Sequence, residues 1–155
     1  MNEKNVFPRT HISLYVKSIE DTVNFYTKFF NQTAAKVKEG YAKYEIDAPA
    51  LTISFIARPE KVNVDIGHFG IQVKTKEELN AKLNMARGYE LVKLEETGTE
   101  CCFAIQDKFW VNDPDGYEWE VYYFLGDAEH FDSKKEKAPT ACCTPEEKAT
   151  ASSCC

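Results

Sequence analysis

The segment HISLYVK at residues 11–17 returns as HFGIQVK at residues 68–74. His, Val and Lys coincide, and Leu14 in the first copy matches Ile71 in the second. Both copies alternate as strands do. Ile12, Leu14 and Val16 share one face, opposite His11, Ser13 and Tyr15; Phe69, Ile71 and Val73 share one face, opposite His68, Gly70 and Gln72. A helix-start signal follows each copy: Ser18 after the first, and Thr75 with Glu78, a capping box, after the second.

Working outward, the helical stretch IEDTVNFYTKFF puts Ile19, Val23, Tyr26 and Phe30 on one stripe. EELNAKLNMARG does the same with Leu79, Leu83 and Ala86 before Gly88 ends it. Strand-like runs come next: YAKYEI and LTISFIA in the first half, CCFAIQ, KFWVN and EWEVYYFL in the second. NDPDGYE is a turn between two of them. The chain therefore reads as α+β, two βαβββ modules at residues 9–57 and 66–125, whose sheets must cover one another. Residues 1–125 form a single domain. Beyond Leu125 the only large apolar residue is Phe131, so residues 126–155 read as a flexible, cysteine-containing tail.

The 155 residues are 43% hydrophobic and 28% charged, with a net charge of −6, which argues against a nucleic-acid or anionic-membrane binder. The opening MNEKNVFPRT lacks the apolar core of a signal peptide, and no apolar run approaches the roughly 20 residues of a membrane span. A cytoplasmic protein is expected, in which thiols stay reduced.

All 6 cysteines occur as adjacent pairs: Cys101 with Cys102, Cys142 with Cys143, Cys154 with Cys155. Adjacent thiols make a poor structural staple but suit soft metals and metalloids. A trivalent arsenical with one organic group has two valences that such a pair satisfies while its carbon–arsenic bond survives. Strand alternation would part Cys101 from Cys102, so TGTECC is expected to be a loop, as its Thr, Gly and Glu content suggests, able to swing a bound substrate.

Of the 3 histidines, His11 and His68 head the two repeats. One strand histidine is ordinarily a hydrogen-bonded structural residue; two at equivalent positions should converge on a shared centre. Glu120, alternating with Trp119 and Val121 and sharing a face with Tyr122, is the acid to join them. Such a buried carboxylate needs a cation, either a metal or a cross-strand lysine. Matching the last strand of each half, with a two-residue gap, sets Asp47 on Asp113 and Thr52 on Glu120, leaving no fourth ligand. Two histidines and one carboxylate with open positions is the facial triad of non-haem Fe(II) oxygenases.

The paired strands, FYTKFF and NDPDGYEWEVY resemble the vicinal oxygen chelate superfamily of glyoxalase and extradiol dioxygenase type over about residues 9–125. ETGTECCFAIQDKFWVNDPDG resembles the ArsI-type carbon–arsenic lyases and their cadmium-induced relatives. This resemblance implies a barrel-like fold with a central Fe(II) site at His11, His68 and Glu120, and arsenic binding by Cys101 and Cys102. It also implies O2-dependent cleavage of methylarsenite or trivalent aromatic arsenicals to inorganic arsenite. A monomer or homodimer is expected. Two rivals stand beside this reading: a cadmium- or arsenic-binding resistance protein without lyase activity, and another enzyme of the superfamily, which would need no thiol pair.

Overall fold

A computed structural model of the chain describes residues 6–101 and 104–127. Strand β1 (Thr10–Val16) leads into helix α1 (Ile19–Phe29), followed by β2 (Lys36–Lys38), β3 (Tyr41–Ile46) and β4 (Leu51–Ala57). After a 3-10 turn at Pro59–Lys61 the order repeats: β5 (Phe69–Val73), α2 (Lys76–Gly88), β6 (Val92–Cys101), β7 (Ala104–Asn112) and β8 (Glu118–Asp127). The sheets run β1-β4-β3-β2 and β5-β8-β7-β6. In each, the first strand is parallel to the last strand of its module, and the other pairings are antiparallel. The α+β duplication is thus observed. The strands form two separate sheets, however, and do not close into one barrel.

Three strand expectations need correction. The sequence pattern expects neither the short β2 nor the ten-residue β6, VKLEETGTEC. CCFAIQ and KFWVN do not form two strands, because Ala104–Asn112 is one continuous strand. Strand β8 also continues to Asp127, past the composition break at Leu125. The rest of the tail, including Cys142, Cys143, Cys154 and Cys155, lies outside the described residues.

Both helices begin as the sequence signals. Ser18 accepts from the Asp21 amide and Thr75 from the Glu78 amide, capping donors that a helix leaves open. Glu78 reaches back to the Lys74 amide at 2.9 Å. The buried face of α1 carries Thr22, Phe25, Tyr26 and Phe29. Of the expected stripe Tyr26 is fully buried, while Ile19, Val23 and Phe30 only flank the core. No helix among the described residues is long and apolar enough to cross a membrane.

The modules meet around Trp119. Its indole contacts the rings of Tyr26, Phe29 and Phe30 in edge-on geometry, and Phe69 from its own module. Each such aromatic takes roughly 150–250 Å² out of water, about 4–6 kcal/mol before entropic costs. A polar chain runs through the contact: Trp119 Nε1 donates to Tyr26 Oη, and Tyr26 Oη donates to Asp113 Oδ2, both at 3.0 Å. Asp113 Oδ1 accepts the amides of Asp115, Gly116 and Tyr117, so it also closes the NDPDGYE turn. Asp115 takes the Lys17 amide, and Tyr117 Oη donates to the Tyr15 carbonyl at 3.0 Å. These bonds seat the turn before β8 on the first module and fix where β8 presents Glu120. Burial pushes the Asp113 carboxyl above its ordinary range, and burial beside Asp113 pushes the Tyr26 phenol well above its own.

Candidate metal centre and thiol hairpin

His68 stands one residue before β5, and its Nε2 lies 3.5 Å from Glu120 Oε1. The structure therefore brings together two of the three expected ligands. Trp119 and Val121, the neighbours of Glu120 on β8, face the core, so alternation sends Glu120 to the opposite face of the sheet, where it is buried as well. Gly70 pairs with Glu120 across the β5–β8 ladder. A Cβ at position 70 would meet Glu120 Oε1 at 3.3 Å, so the glycine keeps space beside that oxygen.

His11 occupies the equivalent place on β1, in the other sheet, where its Nε2 lies 3.2 Å from Ser54 Oγ. This contact corrects the expected alignment of the modules. Ser13 pairs with Ser54 as Gly70 pairs with Glu120, so the counterpart of Glu120 is Ser54 and not Thr52. Thr52 pairs with His11 itself. Each module thus presents a histidine against one side chain of its last strand, and only the second module makes that side chain an acid. Among the described residues no three His, Cys, Asp or Glu side chains stand close enough together to hold a metal.

The cross-strand lysine weighed for Glu120 is present. Lys108 Nζ donates to Glu120 Oε2 at 3.3 Å and lies 3.9 Å from Glu96 Oε2. Trp110 Nε1 donates to Glu96 Oε2 at 2.9 Å. The Trp110 ring meets His68 edge-on at 4.9 Å, and the Lys108 ammonium sits 5.1 Å from that ring. The three charged side chains, two carboxylates and one ammonium, sum to minus one. Two imidazoles and one carboxylate are the donor types that suit a divalent transition metal such as Fe(II). His11, His68 and Glu120 match such an ion in donor type, while the structure brings only His68 and Glu120 into contact and sets His11 against Ser54. On the same face, Tyr122 Oη donates to Gln72 Oε1 at 3.2 Å.

The thiol segment differs from the expected loop. Gly98, at φ +59°, sits in an irregularity between Glu96 and Thr99, after which Thr99, Glu100 and Cys101 pair with Gln106, Ile105 and Ala104. Cys101 is thus the last paired residue of a hairpin, and Cys102 lies outside the described residues. The Gly98 amide donates to Asp107 Oδ1 at 2.7 Å, and Asp107 Oδ2 pairs with Lys76 Nζ at 2.8 Å. The hydrogen bond from Lys76, helped by the Gly98 amide, holds the Asp107 carboxyl below its ordinary range. Cys101 is opposite Ala104 and Glu120 opposite Trp110, six residues further along β7. That offset is roughly 20 Å along a straight strand.

Sequence reasoning named neither Lys108, Glu96, Trp110, Asp107 nor Ser54 as part of the site. The signal for Lys108 and Asp107 was available: two charged residues interrupt the apolar run AIQDKFWV, and both are buried.

Residues 9–121 match the Glyoxalase/Bleomycin resistance protein/Dioxygenase superfamily. The chain is 38% identical over 146 residues to a trivalent organoarsenical cleaving enzyme of Bacillus sp. (strain MD1), covering 94% of this chain and 88% of that one. It is 38% identical over 125 residues to the cadmium-induced protein CadI of Mycobacterium bovis, covering 81% and 82% respectively. Its fold is similar to a glyoxalase/bleomycin resistance protein/dioxygenase from Alicyclobacillus acidocaldarius, with a TM-score of 0.63 at 15% identity, covering 81% of this chain and 96% of that structure.

Proposed function

We propose, from the premise that this chain belongs to the glyoxalase/bleomycin resistance protein/dioxygenase superfamily, that it cleaves the carbon–arsenic bond of trivalent organoarsenicals, with Fe(II) and O2. The observation that carries the reading is the His68–Glu120 contact beside the space over Gly70, repeated on β1 by His11 with a serine in place of the acid. This arrangement supports a centre of two imidazoles and one carboxylate with no fourth protein ligand, the open kind used in catalysis. The relative that is a trivalent organoarsenical cleaving enzyme supports the substrate class.

In this reading His11, His68 and Glu120 hold the ferrous ion, which supplies oxygen activation when bound. Cys101 and Cys102 take the substrate: two arsenic–oxygen bonds break, two arsenic–sulfur bonds form, and two waters leave, with the carbon still on arsenic. The Asp107–Gly98 bond anchors the base of the hairpin that carries the thiols. Because Cys101 pairs with Ala104, six residues along β7 from the partner of Glu120, the hairpin must bend toward the sheet face to deliver the arsenic. The products are inorganic arsenite and the oxidised organic group; methylarsenite and trivalent aromatic arsenicals are the substrates to test.

A second reading, cadmium or arsenic binding without cleavage, is favoured by one observation. Lys108 already compensates Glu120, so the carboxylate does not require a metal. Anaerobic reconstitution with Fe(II), followed by methylarsenite and air with speciation of the arsenic, separates the two. Inorganic arsenite formed only with iron and oxygen supports cleavage; methylarsenite recovered unchanged on the protein supports binding alone.

A further inference from the structure

We infer that Lys108 is a positioning residue of the candidate metal centre: by holding Glu120 Oε2 it confines that carboxylate to one-oxygen ligation and lowers the centre's affinity for divalent cations. The inference rests on the reading of His11, His68 and Glu120 as ligands.

The Lys108 side chain is 4% exposed and that of Glu120 is 11% exposed, so neither charge can turn to water for compensation. Lys108 reaches Glu120 diagonally, since its own ladder partner on β8 is Tyr122 and on β6 is Glu96. The contacts close into a circuit: His68 to Glu120, Glu120 to Lys108, Lys108 to Glu96, Glu96 to Trp110, and Trp110 back to His68. Within this circuit the two oxygens of Glu120 have different duties. Oε1 faces His68 and the space over Gly70, whereas Oε2 accepts the ammonium at 3.3 Å.

Two consequences follow for a divalent ion. Drawing Oε2 onto the ion would break a charge-assisted bond in a buried setting, so a single oxygen is offered and one coordination position is spared. The ammonium also repels the cation across a poorly screened distance, weakening its binding.

The test is a cobalt(II) titration of the full chain, read as affinity and as the visible absorption of the bound ion. Lys108→Met is expected to bind cobalt(II) about 10-fold or more tightly, since a like charge is removed, and to show an altered spectrum as Oε2 is released. Lys108→Arg, which keeps both charge and donor, should stay close to the unaltered chain in both. An unchanged spectrum or an unchanged or weaker affinity in Lys108→Met overturns the inference. If Lys108→Met does not fold, the double variant Lys108→Met with Glu96→Gln restores the charge sum, and an unaltered spectrum in it overturns the inference equally. An unaltered chain whose cobalt(II) binding is absent or indifferent to His68→Ala overturns the ligand reading, and this inference with it.

Discussion

Ser54 stands in the first module where Glu120 stands in the second. The β1–β4 register pairs Ser13 with Ser54, the β5–β8 register pairs Gly70 with Glu120, and each residue touches the histidine of its own module. One carboxylate is therefore missing from a four-position pattern. Ser54→Glu should supply it. A fourth ligand closes the centre, so cobalt(II) binding should persist while turnover falls about 100-fold or more. Thr52→Glu, which places its acid opposite His11 instead, should reduce turnover less. Equal turnover in the two variants would return the fourth position to Thr52.

The ligand reading itself is checked with His11→Ala, His68→Ala and Glu120→Gln, each assayed for cobalt(II) binding and turnover. Loss of one ligand of three should weaken metal binding by about 10–100-fold or more and remove activity. Glu120→Gln is preferable to Ala because its amide oxygen keeps an acceptor for the buried Lys108 ammonium, whereas Ala leaves that donor without this partner and confuses folding with ligation. Normal turnover in His68→Ala sinks the triad.

The thiol pair should behave as a unit. Cys101→Ser and Cys102→Ser should each cut turnover about as severely as the double change, because one arsenic–sulfur bond does not orient the substrate. Cobalt(II) binding should be unaffected in all three. Substitution of Cys142, Cys143, Cys154 and Cys155 should spare the reaction. Near-normal rates in both single variants would move the binding-protein reading ahead.

Asp107 should confer acid sensitivity on the thiol hairpin. Its folded pKa is depressed, chiefly by Lys76, so its stabilising contribution is present above the ordinary carboxylate value of about 3.9 and is lost as pH falls through the lower folded value. Protection of the Gly98 amide, taken relative to its intrinsic exchange rate at each pH, should therefore fall at acid pH in the unaltered chain. In Asp107→Ala it should already be low at neutral pH, with weaker capture of trivalent arsenicals. A Gly98 amide equally protected in both chains would show that Asp107 does not anchor the hairpin.

Tyr26 should limit stability on the alkaline side. Its folded pKa is raised well above the ordinary phenol value, so its contribution is complete below about pH 10 and is lost as pH rises through the folded value. Tyr26→Phe leaves Asp113 Oδ2 and Trp119 Nε1 without that partner and should cost about 1–3 kcal/mol in denaturant unfolding. It should also flatten the decline in stability above pH 10. An unchanged alkaline profile would remove Tyr26 as its cause.

The duplication, the two helices with their Ser18 and Thr75 caps, and the faces of His11, His68 and Glu120 were legible in the sequence because each depends on local spacing. A period of two or 3.6 residues is set by the backbone itself, whatever lies elsewhere in the chain. Strand β6 escaped because LEETGTE has few β-favouring residues and carries an irregularity at Gly98; its place in the sheet comes from pairing with β7. Register was likewise beyond reach. A slip of two residues preserves every face, so alternation alone accepts Thr52 as readily as Ser54 as the counterpart of Glu120, and only the parallel β1–β4 and β5–β8 ladders decide. The lysine on Glu120 is a third case: both residues were visible as charges in apolar strands, but which partner each finds depends on three strands meeting in space. Local periodicity fixed what faces the site; the pairing of distant strands decided what touches it.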